Sequence, residues 1–404
     1  MQSSENIESI FGNPVKAINK LAFPTIFSIL LMFLNNLIDS FWVAGINADA
    51  LAALGFISPL YLVIIGLGTG LGAGTNSLIS RYLGADRRED ANNAIIHSII
   101  LTLIVSAIVL IIGIFFLKDL VILLGASSVS TYCLDYGEII FFLNIVFLLP
   151  NVLASIFRAE GNVKRATSPL VLTYVLNMVL DPIFIYVFKL GIFGAGFATV
   201  LASFIGLLWM LYWIFVKKDS YFSFKLASYK SKWDIYKNIL VVSLPAGTEE
   251  IIFSLVAIIL NYLIIITSGI SEVAAFTIAW RFISMAFLPC MGIGIATITV
   301  SGVAYGARNS ENFDLTIKYS TFLSLIITLI FSVVFFFFAY PLCDIFTFTA
   351  NDPYLITRSA EILQLLVFYN FMIPFGATAA YVYQAVGSGF KSLALTILRE
   401  LILS

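Results

Sequence analysis

Charge is scarce in this chain. Of 404 residues, 22 are Lys or Arg and 23 are Asp or Glu, 11% in all. Histidine occurs once, at His97, and cysteine three times, at Cys133, Cys290 and Cys343, with no close spacing. That excludes a zinc cluster and a disulfide scaffold. The first 20 residues hold no cleavable signal pattern. Nothing points to an enzyme cofactor or a nucleic-acid partner.

Apolar residues fill the space that charge leaves. They make up 60% of the chain, with a mean hydropathy of +1.02, more than a water-soluble domain of this length needs. Apolar runs recur at 21–43, 50–80, 94–116, 135–157, 168–188, 194–216, 239–267, 273–300, 317–343 and 360–385, and a stub begins near Lys391. Each can cross roughly 30 Å of hydrocarbon. Backbone groups in lipid must be satisfied internally, so the spacing predicts an all-α polytopic membrane protein. Lys and Arg crowd the loops after spans 2, 4, 6 and 8, whereas the alternate loops hold only Lys118, Lys189 and Arg358. The positive-inside rule therefore puts the N-terminus in the cytoplasm, with the protein in the cell membrane. Residues 1–20, with Ile7, Ile10, Phe11 and Val15, read as an amphipathic lead-in on the membrane surface.

The chain repeats itself. Pro24 aligns with Pro245, Ala52-Ala53 with Ala274-Ala275, Gly84-Ala85 with Gly306-Ala307, and Ala159 and Gly161 with Ala385 and Gly387. Each repeat should hold six helices and start inside, so a pseudo-two-fold axis along the membrane normal relates them. The expected layout is an N-lobe at 21–216, a charged cytoplasmic linker at 217–238 and a C-lobe at 239–404. By the same register, helix 11 is partial and helix 12 absent.

Carboxylates inside a bilayer cost roughly 2.5–3.5 kcal/mol each on insertion scales, so they are seldom kept without use. Asn35 and Asn36 share a helical face with Asp39 in span 1, and Asn177 shares one with Asp181 in span 5. Counting about 1.5 Å per residue puts these groups and Thr199 at similar depth, in the outer half of one repeat. Two carboxylates, an amide and a hydroxyl make an all-oxygen set. Such a set suits a hard cation such as Na+, or a proton shared between like charges. Each group alone could equally hydrogen-bond a neighbouring helix, but two aspartates at one depth argue for a site.

Glu249 and Glu250 in span 7 lie at mid-membrane near the depth of Arg281 in span 8, as an ion pair or a second coupling site; Arg399 is a further candidate partner. Pro24 and Pro245 each remove a helix hydrogen bond at matching places, as hinges would. Gly66, Gly68, Gly70, Gly72 and Gly74 lack the Lys-Ser/Thr of a phosphate loop and read as close helix packing. Tyr136, Asn144 and Asn151 of span 4 are candidates for lining a cavity.

The stretch from Asn13-Pro14 through Pro24, Asn35, Asn36, Asp39 and Leu51-Ala52-Ala53 to Pro59 resembles the first-helix signature of the multidrug and toxic compound extrusion (MATE) transporters. The loops at Gly84 and Gly306 resemble that family's loop motif, and Asn177-x-x-x-Asp181 with Thr199 resembles the N-lobe cation site of its DinF-like branch. The resemblance implies a V-shaped pair of six-helix lobes, acting as a monomer. It implies export of cationic or amphiphilic drugs or metabolites, driven by entry of Na+ or H+, with no other cofactor. Asp39, Asn177, Asp181 and Thr199 would couple the ion, and helix 1 would bend at Pro24. Phe253 stands where the NorM-like branch has a Glu, and span 10 has no aspartate, which counts against a C-lobe cation site.

Two other readings compete. A flippase for lipid-linked envelope precursors of the same superfamily would need a strongly basic cavity, and the sequence offers only Arg281 and Arg399 inside spans. An intramembrane prenyltransferase would need a further Asp after Asn177-x-x-x-Asp181, but position 185 is Ile.

Overall fold

The computed structural model describes residues 7, 9–217, 220–222, 229–347 and 353–402. The elements among them are helices. The first half contains α1 (Pro14–Ala44), α2 (Ala48–Gly84), α3 (Arg88–Leu123), α4 (Ser130–Phe142), α5 (Ile145–Ala159), α6 (Val163–Pro182) and α7 (Gly191–Tyr212). The second contains α8 (Trp233–Ser268), α9 (Ile270–Gly306), α10 (Ser310–Phe337), α11 (Ala339–Thr347), α12 (Pro353–Leu366), α13 (Ile373–Ala385) and α14 (Gly389–Ile402). Among the described residues, seven helices are long and apolar enough to cross a membrane singly, and two bent pairs bring the total to nine. The tenth expected span, 239–267, falls on α8, a helix of 36 residues.

Asparagines start four of these helices. Asn13 Oδ1 accepts from the backbone N–H of Val15 at 2.9 Å, with Pro14 in the first turn, where its missing N–H does no harm. Asn47, Asn162 and Asn309 cap α2, α6 and α10 in the same way.

The repeat extends to single backbone bonds. Helix α2 ends with Asp86 at φ 57° and a bond from Arg87 N–H to the Tyr82 carbonyl (2.8 Å); α9 ends with Arg308 at φ 55° and a bond from Asn309 N–H to the Ala304 carbonyl (3.0 Å). Likewise Gly161 and Gly387 carry φ of 72° and 82° behind α5 and α13. These are left-handed C-caps, a conformation glycine adopts without strain.

Spans 4 and 10 are broken where the sequence reads them as single runs. The α4–α5 pair bends by 45° and the α12–α13 pair by 43°. Asn144 stands at the first break and donates to the carbonyls of Phe141 (2.8 Å) and Ser106 (3.1 Å). Its repeat counterpart, Asn370, stands at the second and donates to Ser332 Oγ at 3.2 Å. Asn144 is therefore not a cavity-lining group: it is buried, and it satisfies carbonyls at the bend.

The halves pack in exchange-symmetric fashion. Helix α1 lies along α9 and α2 along α8, while α1–α6 in the first half matches α8–α14 in the second. Glycines permit the approach. A Cβ on Gly70 would stand 2.5 Å from the Ser243 carbonyl oxygen, and one on Gly74 2.5 Å from the Ile239 carbonyl oxygen. Gly68 and Gly72 instead face Asn151 and Ser155 on α5, so the glycine run packs α2 on two sides, as its sequence suggests. The hydrogen bonds described between the halves lie at the end of the bundle where α1 begins, here called the basal end. They include Asn76–Thr299 (2.9 Å), Ser77 Oγ to the Gln384 carbonyl (2.5 Å) and Tyr319 Oη to Asn19 Oδ1 (2.8 Å). Toward the far end Leu34, Phe41, Leu62 and Tyr262 are exposed. The described hydrogen bonds between the lobes thus gather at the basal end, the closed end of a V.

In the lead-in, Ile7 and Ile10 are buried, Ile7 in the same core as Leu78, Ile95 and Phe157, while Phe11 is exposed. Part of the linker is described too: His97 is buried, its Nδ1 bonds the Asn93 carbonyl (2.8 Å), and its Nε2 accepts from Lys232 N–H (3.1 Å). It anchors the linker to α3.

Candidate ion and substrate site

Helices α1 and α6 pack side by side, and their polar faces meet inside the first half. Asn35 Nδ2 donates to Asn177 Oδ1 at 2.9 Å. Asn177 Nδ2 in turn donates to Asp181 Oδ1 at 2.7 Å and reaches Thr199 Oγ1 on α7 at 3.4 Å. Thr199 donates its own hydroxyl to the Ala195 carbonyl at 3.0 Å, which leaves an oxygen lone pair toward Asn177. Asn35, Asp39, Asn177, Asp181 and Thr199 are all buried. Asp39 lies one turn beyond Asn35 and near enough to act electrostatically on Asp181. Asn36, by contrast, is exposed and outside this chain of bonds.

Three oxygens in the cluster are buried and take no hydrogen bond: Asn35 Oδ1, Asp39 Oδ1 and Asp181 Oδ2. A buried polar atom left unpaired costs about 1–3 kcal/mol, so a cation or proton here would find acceptors already stripped of water. The donor set is all oxygen and includes two carboxylates, which fits a hard monovalent ion or a shared proton. Among the described residues no three His, Cys, Asp or Glu side chains gather, as a multivalent metal cage would require.

Two tyrosines close the cluster. Tyr136 on α4, a candidate from sequence, is buried and close enough to feel both aspartates, with Thr199 beside it. Tyr61 on α2, which the sequence does not mark, feels Tyr174 and Asp39, and its ring packs edge-on against Phe147 at 5.5 Å. One tyrosine among 18 carries no signal of its own in an aromatic-rich chain.

The remaining candidates lie elsewhere. Helix α1 runs on past Pro24, and α8 past Pro245. The Thr25 hydroxyl bonds the Leu21 carbonyl at 2.7 Å, beside the carbonyl that Pro24 leaves without its helical donor. Glu249 accepts from Ser392 Oγ at 2.7 Å and Gln384 Nε2 at 3.3 Å, tying α8 to α13 and α14. The Glu250 side chain lies outside the described residues, as does that of Phe253. Arg281 is on α9 and exposed. Arg399 pairs with its neighbour Glu400 at 2.6 Å and lies over the Phe287 ring. Arg158 and Arg81, just beyond the expected spans, lie in helices: Arg158 on α5 is buried and donates to Ser155 Oγ at 2.7 Å, and Arg81 closes α2. The count of cations inside the bundle therefore rises beyond Arg281 and Arg399.

The MatE family model matches this chain twice, over residues 24–183 and 245–403. The chain belongs to the MatE family. Both matches begin at the paired prolines, so the family match itself reproduces the repeat. A probable multidrug resistance protein NorM from Thermotoga maritima is 23% identical over 390 residues, 95% of this chain and 82% of that protein. A solved structure of MATE in the straight conformation superposes with a TM-score of 0.95 at 34% identity, covering 98% of this chain and 88% of that one. The outward-facing conformation of a multidrug resistance MATE family transporter of the MOP superfamily gives the same TM-score, identity and coverage. This MatE chain is accordingly a multi-pass helical membrane protein with the two-lobed V of MATE transporters, and a transporter by family.

Proposed function

We propose that this MatE protein is a secondary active exporter. It moves cationic or amphiphilic organic compounds outward against entry of Na+ or H+, by alternating access. The basic loops gather at the basal end, which under the positive-inside rule is the cytoplasmic side, and the described state is then open to the outside. The observation that carries the ion-coupling role is the set of buried, unpaired oxygens on Asn35, Asp39 and Asp181. Asp39 and Asp181 supply the negative charge, and Asn177 and Thr199 complete the oxygen set. An ion entering from outside satisfies these oxygens, draws α1 onto α6 and favours a different bend near Pro24; its release inward resets the cycle. Pro245 would serve as the matching hinge in the second lobe. The multidrug relatives support the substrate class.

The test is gradient-driven movement of a cationic dye in inverted membrane vesicles bearing this protein. Dye accumulation above that of vesicles without the protein, abolished when both Na+ and H+ gradients are collapsed, is the expected result. Accumulation that survives collapse of both gradients would rule the antiport reading out.

A further inference from the structure

A second polar feature lies at the opposite end of the molecule from the coupling cluster, and the transport cycle above makes no use of it. Between the basal ends of α2 and α9 is a cleft of about 840 Å³, a volume ordinary for a small-molecule site. Both lobes line it. Arg81, Tyr82 and Arg87 come from one, Tyr305, Arg308 and Ser310 from the other. Among the described residues that line it there is no Asp or Glu.

The three arginines are not equivalent. Arg87 is already matched, by Asp90 at 2.8 Å, and Asp90 also takes Lys232 at 3.0 Å. Arg81 is different. Its Nε donates to the Ser77 carbonyl at 3.2 Å, but its Nη2 is buried and has no partner. The groups that act on its charge are Tyr82 and Tyr305, and no carboxylate is among them. Its guanidinium also presses on the turn after α13, where a Cβ on Gly387 would stand 2.6 Å from Nη1; that turn belongs to the other lobe. Arg308, at the left-handed end of α9, has no carboxylate partner among the described residues either. Two guanidinium groups with no carboxylate partner among the described residues thus line one cleft, Arg81 half-buried and Arg308 exposed.

We propose that this cleft binds a phosphate-bearing anion, held between Arg81 of one lobe and Arg308 of the other. A phosphate offers several acceptor oxygens in the geometry that a guanidinium fork matches, and the lining tyrosines and Ser310 add hydroxyl donors. Because the ligand spans α2 and α9, it binds the arrangement in which the basal ends are together. It therefore favours the outward-open state over the state in which these ends part. The anion can reach the cleft as the headgroup of an anionic lipid or as a soluble phosphate compound.

The experiment uses the full chain in nanodiscs and reads thermal unfolding, which needs no transport; its failure would leave the coupling reading untouched. In the first arm inorganic pyrophosphate is titrated into phosphatidylcholine nanodiscs. In the second arm phosphatidylglycerol replaces phosphatidylcholine stepwise. A saturable rise of roughly 2–4 °C is expected in one arm or both, and the responding arm names the source. Arg81→Gln and Arg308→Gln should each weaken the response at least tenfold, whereas Lys391→Gln, a basic residue outside the cleft, should leave it unchanged. Arg308 is exposed, so its variant keeps the test decisive should Arg81→Gln fold poorly. A flat response in both arms would overturn the proposal, as would equal responses from the wild type and both arginine variants.

Discussion

Asn35 on α1 donates its side-chain amide to Asn177 on α6 at 2.9 Å, and this one bond joins the helix that carries Asp39 to the helix that carries Asp181. Asn177 is the hub, because its own amide goes on to Asp181 and Thr199. Remove the hub and both aspartates lose their fixed relation. Asn177→Leu should therefore weaken binding of the coupling ion by tenfold or more, the effect of about 1.4 kcal/mol. Helix content should stay unchanged. Isothermal titration of Na+ at high pH, with circular dichroism as the control, checks both. Unaltered ion binding in this variant would remove Asn177 from the site.

The glycine seam predicts a conformational effect. Gly70→Leu puts a side chain where only 2.5 Å separates a Cβ from the Ser243 carbonyl oxygen. Overpacking of this kind costs typically 1–3 kcal/mol, and the cost falls on the state with the basal ends together. Spin labels at Glu89→Cys and Glu311→Cys, exposed repeat-related positions on the two lobes, should report longer distances in this variant. The three native cysteines are buried and should label little. Unchanged distances would mean that the seam does not set the conformation.

The two bent spans depend on their asparagines. Asn144→Ala and Asn370→Ala each remove a buried amide that bonds at a bend, at a cost of about 0.5–1.5 kcal/mol per hydrogen bond lost. Both should lower the unfolding temperature. The Asn144 change should do more damage, since Asn144 serves two carbonyls where Asn370 serves one hydroxyl. Thermal unfolding of the pair in one detergent gives the order.

Much of this architecture is legible in the chain. Sparse charge and long apolar runs specify spanning helices, and repeated Gly-Ala turns specify two related halves. Asp39 and Asp181 stand out because charge in lipid is expensive, and their companions follow from helical spacing. What hydropathy could not show are features invisible to an averaged window. The bends at Asn144 and Asn370 interrupt runs that stay apolar on both sides. Arg81 and Arg158 read as loop cations by position, yet they lie within helices, because α2 and α5 run on past the apolar core. Ile7 and Ile10 show the same amphipathic pattern whether they face lipid or, as here, protein.

The prolines separate binding from movement. Pro24→Ala restores a helix donor to α1 in a stretch far from the ion cluster. Ion affinity should remain within about twofold while transport falls at least tenfold, the pattern of a hinge that no longer bends. Equal losses in both would make Pro24 part of the site's scaffold instead.

The central claim is that Asp39 and Asp181 together couple ion entry to export. Its most direct test is transport in proteoliposomes under separately imposed Na+ and H+ gradients, comparing the wild type with Asp39→Asn and Asp181→Asn. The account predicts efflux driven by at least one gradient in the wild type, and loss of that gradient-driven component in both variants with folding intact. Undiminished gradient-driven efflux in either variant would contradict it.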